Sequence, residues 1–218
     1  MAEGQFTPEQ HWQFVQGVAK ALQEFRGARA GCPMSEMDLR ATYTQSWDYL
    51  AYIGNFHADK PVGSFLAHIA DLITDGDTVV DIGCGAGYTG LQLAALGCKV
   101  TFHDFAGYGL EFIAWYAQRE GLAVRIVPYG TDLEQHDFAV AFDVLEHTGN
   151  HLGALRWLAG LGRTVALCYP TAAYRPPFHP VFDEWVDDEA VHWMLEKRHR
   201  ILHWAWHEER RFAIFRCL

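Results

Sequence analysis

The stretch Thr78-Val79-Val80-Asp81-Ile82-Gly83-Cys84-Gly85-Ala86-Gly87 is a short apolar, β-branched run that ends in three glycines spaced by two. Val79, Val80 and Ile82 predict a buried parallel strand, and residues 88–96, with Leu91, Leu93, Ala94 and Leu96 apolar, predict the helix that follows. The glycines sit in the turn between them, where a residue without Cβ tolerates positive φ and lets a ligand approach the backbone. The next strand is predicted at Cys98-Lys99-Val100-Thr101-Phe102-His103, with Asp104 at its end, 21 residues after Gly83. A carboxylate at that tip is placed to accept hydrogen bonds from both hydroxyls of a ribose. Together these features point to a nucleoside-containing cofactor.

The dinucleotide fingerprint G-x-G-x-x-G also pairs a glycine turn with a downstream acid, but its register fails here. Counted from Gly83 and Gly85, its third glycine would fall at Tyr88, whereas the third glycine stands one residue earlier at Gly87. A pyrophosphate also asks for a positive helix N-terminus and nearby donors, and Asp81 precedes this turn. A cofactor without phosphate fits better.

On these residues the chain resembles the class I S-adenosylmethionine-dependent methyltransferases, whose first motif, (V/L)-D-(I/L/V)-G-x-G-x-G, is matched by residues 80–87. Asp104 matches the family's ribose-binding acid. The segment Phe138-Ala139-Val140-Ala141-Phe142-Asp143-Val144-Leu145-Glu146-His147 is similar to the family's fourth strand, with the V-L-E-H ending common in its small-molecule members. The resemblance covers roughly residues 60 to 217 and implies a Rossmann-like methyltransferase with S-adenosylmethionine as cofactor.

Length and composition bound this reading. A chain of 218 residues suits one domain with an appended N-terminal helical segment. We expect a helical cap over residues 1–60 and the cofactor-binding domain over residues 61–218. No apolar run approaches the ~18 residues that span a bilayer, and the N-terminus lacks the basic-then-apolar order of a signal peptide. A cytosolic protein without a membrane partner is expected. The formal charge of −10 argues against a nucleic-acid partner, because phosphate contacts need clustered Lys and Arg. The basic clusters Lys197-Arg198 with Arg200, and Arg210-Arg211, adjoin acids and read as solvated faces. The five cysteines are scattered, never in a C-x-x-C pair, and read as small core residues.

Thr7-Pro8-Glu9-Gln10 is a compact helix start, and Trp12, Val15, Val18, Leu22 and Phe25 recur at helical spacing, predicting an amphipathic helix over residues 8–26. A second helical stretch, about 36–53, carries Tyr43 and Trp47. A loop over 55–63 and a helix over 64–73 lead into the first strand. From residue 78 strand and helix alternate, which implies a parallel sheet covered on both faces. Helices are expected over 109–120, 150–160 and 187–197, and strands over 124–127, 138–142 and 164–169. After residue 200 the period changes: Leu202-His203-Trp204-Ala205-Trp206-His207 and Phe212-Ala213-Ile214-Phe215 read as a β-hairpin. The expected fold class is therefore α/β, a seven-stranded, mostly parallel sheet closed by a C-terminal antiparallel hairpin, as the resemblance also implies.

Ligands of open parallel sheets sit beyond the carboxyl ends of the strands. By resemblance, Asp81, Gly83, Cys84, Gly85 and Gly87 surround the amino-acid portion of S-adenosylmethionine and Asp104 takes the ribose. Phe105 is a candidate to pack on the adenine face. Thr131, Asp132 and Leu133 match the place where the family sets an acid against the adenine amino group, although a Thr-Asp pair is as often a turn device. Asp143 to His147 falls where the methyl group should meet its acceptor, with Asp143 counted among the cofactor contacts. His147 is the candidate general base, since an imidazole titrates near neutrality; it reads equally as a helix-start histidine bonded to backbone. Glu146 is expected to point away and cap structure.

Tyr169, Tyr174, Arg175, Phe178 and His179, in or beside a proline-rich loop, are candidate acceptor contacts together with Tyr43 and Trp47. Twelve histidines raise the question of a metal. The set His199, His203 and His207 falls on a strand, where residues four apart are too distant to share one ion, and no carboxylate is clearly placed beside His147 and His151; no metal is expected. The functional expectation is methyl transfer to a small molecule, oxygen slightly favoured. The alternative is a non-catalytic subunit of the same fold that binds S-adenosylmethionine or stabilises a partner. A nicotinamide-dependent oxidoreductase is disfavoured by the misplaced glycine, and an aminopropyl transferase lacks an acidic polyamine channel.

Overall fold

A computed structural model describes residues 8–28, 63–170, 186–207 and 210–218. In chain order the elements are α1 (Pro8–Ala28), α2 (Gly63–Ala70), β1 (Thr78–Ile82), α3 (Tyr88–Ala95), β2 (Lys99–Asp104), α4 (Tyr108–Glu120) and β3 (Val124–Pro128), followed by β4 (His136–Phe142), a 3-10 turn (Leu145–His147), α5 (His151–Leu161), β5 (Gly162–Pro170), α6 (Asp188–Arg198), β6 (His199–His207) and β7 (Arg210–Cys217). The strands form a seven-stranded sheet in the order β3-β2-β1-β4-β5-β7-β6. Parallel pairing is seen for β2 with β3, β1 with β4 and β4 with β5, and antiparallel pairing for β5 with β7 and β6 with β7. This is the expected mostly parallel α/β sheet with its terminal hairpin.

The chain divides into two compact units, one of residues up to Asp77 with Cys84–Thr131, the other of Thr78–Gly83 with Asp132–Leu218. In the first, α4 buries Leu110, Phe112, Ile113, Tyr116 and Ala117. These positions recur at helical spacing, so one face is apolar throughout. On α1, Val18, Leu22 and Phe25 are buried, and the Phe25 ring meets Phe112 edge-on at 5.6 Å. Each buried side chain of this size contributes about 1.5–3 kcal/mol.

In the second unit the core is formed by Val80, Ala139, Leu155, Leu158, Leu167, Met194, Leu195 and Phe215 among others. The central strand β5 is buried along nearly its whole length, as a strand covered on both faces must be. Helix α5 is capped by Asn150, whose side-chain oxygen accepts from the Gly153 N–H, and α6 by Asp187, which accepts from the Ala190 N–H. The expected helix over 36–53 and residues 55–62 of the expected 55–63 loop lie outside the described residues, and Gly63 is the first residue of α2 rather than loop.

Candidate active site

The glycine turn begins at Gly83, at the end of β1. Gly83, Gly85 and Gly87 all adopt positive φ, at 61°, 53° and 75°. Any other residue would cost about 1–2 kcal/mol at each position. The Gly87 N–H donates to the Cys84 carbonyl at 2.7 Å, and the Gly87 carbonyl accepts from the Leu91 N–H at 2.8 Å, so the turn runs directly into α3. A Cβ on Gly87 would stand 2.7 Å from Ile113 Cγ1. Helix α4 also leans on this turn: a Cβ on Gly109 would collide with the Gly85 carbonyl oxygen. Sequence reasoning missed Gly109, because a glycine near a helix start gives no sign of what faces it.

Asp104 ends β2 and is tied to the same turn. Its Oδ2 accepts from the Gly85 N–H at 2.8 Å and its Oδ1 from the Phe105 N–H at 2.6 Å. Burial pushes the carboxyl up from its ordinary range, and the two backbone donors act against that shift. An ionised carboxylate offers about four lone-pair sites, so each oxygen retains capacity for one further donor. That fits a ribose diol. Beside it, His103 is buried, with Nδ1 2.9 Å from the Val127 carbonyl, and burial lowers its pKa against the opposing pull of that carbonyl and of Asp104. The Phe105 ring lies 4.9 Å from that of Tyr129, so two aromatics flank the residues after Asp104. Thr131 is exposed in the turn after β3, its N–H donating to the Pro128 carbonyl at 3.2 Å.

In the second unit an acidic cluster follows β4. Asp143 is the non-glycine residue at positive φ among the described residues, at 54°. Its N–H donates to the Cys168 carbonyl at 2.8 Å, and its Oδ1 accepts from Arg210 Nε at 3.0 Å. Glu146, three residues on, does not point away to cap structure as expected. It is 5% exposed, and its Oε2 has no hydrogen-bond partner among the described residues. Glu146 lies in the 3-10 turn Leu145–His147, which packs against α5 and β5 and buries both Leu145 and Glu146. Burial first, and the Asp143 charge second, push its carboxyl well above the ordinary range. Glu146 Oε1 lies 3.8 Å from His147 Nε2, and His147 is partly exposed.

A second sequence reading changes at β7. Arg210 and Arg211 are not a solvated face, at 8% and 6% exposed. Arg211 donates to Asp188 through Nε at 3.0 Å and Nη2 at 2.6 Å, and its guanidinium stacks over Trp204 and Trp206 at 4.5 and 4.1 Å from the ring centroids. A planar guanidinium paired this way no longer needs water. The charge run looked solvent-facing because the paired acids, Asp143 and Asp188, are distant in sequence.

Asp81 is buried within β1, Cys84 is partly buried, Asp132 is exposed, and Leu133 packs against the second unit's core. Tyr169 is fully buried and its hydroxyl donates to Asp188 Oδ1 at 2.9 Å. Tyr43, Trp47, Tyr174, Arg175, Phe178 and His179 lie outside the described residues. Among the described residues no helix is long and apolar enough to cross a membrane.

Comparison with known proteins agrees with this architecture. A ubiquinone biosynthesis O-methyltransferase of Methylocella silvestris is 30% identical over 106 residues, 46% of this chain and 41% of that protein. The chain thus matches about two fifths or less of the length of such relatives. Magnesium protoporphyrin IX methyltransferase from Synechocystis, solved with bound S-adenosylhomocysteine, superposes with a TM-score of 0.63 at 15% identity, covering 94% of this chain and 96% of that one. TehB from Haemophilus influenzae gives 0.61 at 18% identity over 78% of this chain and 66% of that chain. At such identities the likeness is one of fold. The family model described as a methyltransferase domain matches residues 55–216, from ahead of α2 to the last strand, and the chain belongs to that methyltransferase domain family.

Proposed function

We propose that the chain transfers a methyl group from S-adenosylmethionine to a small-molecule acceptor, with oxygen the favoured acceptor atom. The observation that carries this reading is the Asp104 carboxylate, hydrogen-bonded to the Gly85 N–H of a glycine turn and left with acceptor capacity on both oxygens. The O-methyltransferase relative supports the choice of oxygen, and the neighbour holding S-adenosylhomocysteine supports the cofactor.

Bound, S-adenosylmethionine supplies an electrophilic methyl carbon on a sulfonium, and the reaction is an in-line displacement governed largely by positioning. Asp104 accepts the ribose hydroxyls, and Phe105 offers its ring to the adenine. Asp81, Gly83, Cys84, Gly85 and Gly87 serve the amino-acid portion, with Thr131, Asp132, Leu133 and Asp143 as further cofactor contacts. His147 takes the acceptor's hydroxyl proton where that proton is still present at working pH. Tyr169, with the candidates outside the described residues, serves the acceptor.

Incubation with S-adenosylmethionine and a panel of phenols, carboxylic acids and amines, read by S-adenosylhomocysteine release, tests this. Release dependent on a hydroxylated acceptor supports the proposal; cofactor binding without release from any acceptor favours a non-catalytic subunit.

A further inference from the structure

We propose that Glu146 and His147 act as one proton-sharing dyad, in which Glu146 is the positioning residue that governs when the imidazole is a free base. This rests on the reading of His147 as the base. The two groups are Oε1 and Nε2, 3.8 Å apart on adjacent residues of the 3-10 turn. A hydrogen bond between such atoms spans about 2.7–3.2 Å, so a small side-chain rotation brings them together.

The surroundings explain why Glu146 turns to His147. The charged and titratable groups facing it are Asp143 from the end of β4, Arg210 from β7 and Cys168 from β5. Helix α5, packed on the same turn, carries His151 and Arg156. Arg210 is already paired with Asp143 through Nε and Oδ1 at 3.0 Å. One guanidinium therefore serves two carboxyls, and Asp143 opposes a negative charge on Glu146. Glu146 is buried and its Oε2 has no hydrogen-bond partner among the described residues. A charge on Glu146 is tolerable when its neighbour His147 carries the compensating proton, and His147, partly exposed, has the route to solvent that Glu146 lacks.

The proton balance is simple. Before turnover the dyad carries one proton, as a carboxylic acid beside a neutral imidazole or, with the proton passed across, as a carboxylate beside an imidazolium. When an acceptor O–H breaks, its electron pair stays on oxygen to bond the methyl carbon, the C–S bond pair goes to sulfur, and His147 takes the proton while Glu146 keeps the one the dyad already held. The acceptor's proton returns to solvent through His147, and no further reactant is needed. Two groups coupled this closely titrate as a pair, with macroscopic midpoints that belong to neither alone.

Histidine-selective NMR titration of the full chain, free of cofactor and acceptor, tests the dyad. The wild type should show a His147 titration raised or split by its partner. Glu146→Gln, nearly isosteric, should give a single step shifted down by on the order of one pH unit. Glu146→Asp, which keeps the charge and shortens its reach, should fall between and stands in if the Gln variant does not fold. A His147 midpoint unmoved in a folded variant overturns the proposal. The readout needs no turnover, so an uncoupled His147 with intact S-adenosylmethionine binding removes the dyad alone. A coupled His147 without cofactor binding removes the functional reading alone.

Discussion

Arg210, the first residue of β7, places Nε 3.0 Å from Oδ1 of Asp143, 67 residues earlier at the end of β4. Asp143 is thereby held at both ends, by the ion pair on its side chain and by the Cys168 carbonyl on its backbone N–H. Its positive φ is a conformation aspartate tolerates better than most residues. Strain of this kind persists where the surroundings over-determine it, and it concentrates at functional sites.

Arg210→Ala should therefore destabilise the fold by about 3–5 kcal/mol, because it removes the ion-pair partner of Asp143 among the described residues and leaves that carboxyl partly buried near Glu146. Arg210→Lys should recover part of the loss, since a point charge replaces a directed guanidinium. Urea unfolding of the three proteins measures this. A loss under about 1 kcal/mol, the scale of an exposed pair, would show that the pair does not hold the β4 end.

Glycines in two helices should respond oppositely to one methyl group. Gly17, within α1, faces open space, so Gly17→Ala should raise stability by about 0.5–1 kcal/mol. Gly109→Ala, on α4, drives a methyl into the Gly85 carbonyl and should cost about 1–3 kcal/mol, while distorting the turn that Asp104 grips. A tenfold or greater loss of S-adenosylmethionine affinity is expected, on the order of 1.4 kcal/mol. Thermal melts and calorimetry read both effects; unchanged affinity in Gly109→Ala would separate α4 from the cofactor.

Glu146 makes a prediction about pH and stability. Its folded-state carboxyl is pushed well above the ordinary value of 4.5 by burial and by Asp143. For an acid shifted in that direction the folded state holds the proton longer than the unfolded chain does. The stabilising contribution is therefore complete below the unfolded value and is lost as pH rises towards the folded one. Glu146→Gln, which cannot ionise, should lose this dependence and gain on the wild type between pH 5 and pH 8 (about the span over which an ordinary carboxyl is ionised). Denaturant midpoints of both proteins across that span check it, and parallel curves would mean that Glu146 is ordinarily ionised in the fold.

The sheet was legible because its signals are local. The β-branched run at Val79-Val80, the glycine turn and the period change in the last 20 or so residues each specify an element without reference to the rest. The apolar faces of α4 and α6 followed from spacing, and Leu110, Ile113, Val191 and Met194 are buried where expected. What failed was pairing over distance. Arg210 and Arg211 looked solvated because Asp143 and Asp188 lie 67 and 23 residues away. Glu146 looked peripheral because the packing of its turn against α5 and β5 leaves no local mark in the sequence. Gly109 was silent because its constraint is the backbone of Gly85.

The central claim is that Asp104, fixed by the Gly85 N–H, holds the ribose of S-adenosylmethionine. Calorimetric titration of the wild type and of Asp104→Ala with S-adenosylmethionine, S-adenosylhomocysteine and NAD tests it most directly. The account predicts micromolar binding of both sulfur nucleosides and none of NAD, with a loss on the order of 10–100-fold in a still-folded Asp104→Ala, the scale of one or two charge-assisted hydrogen bonds. Equal affinity in the two proteins, or preference for NAD, would contradict it.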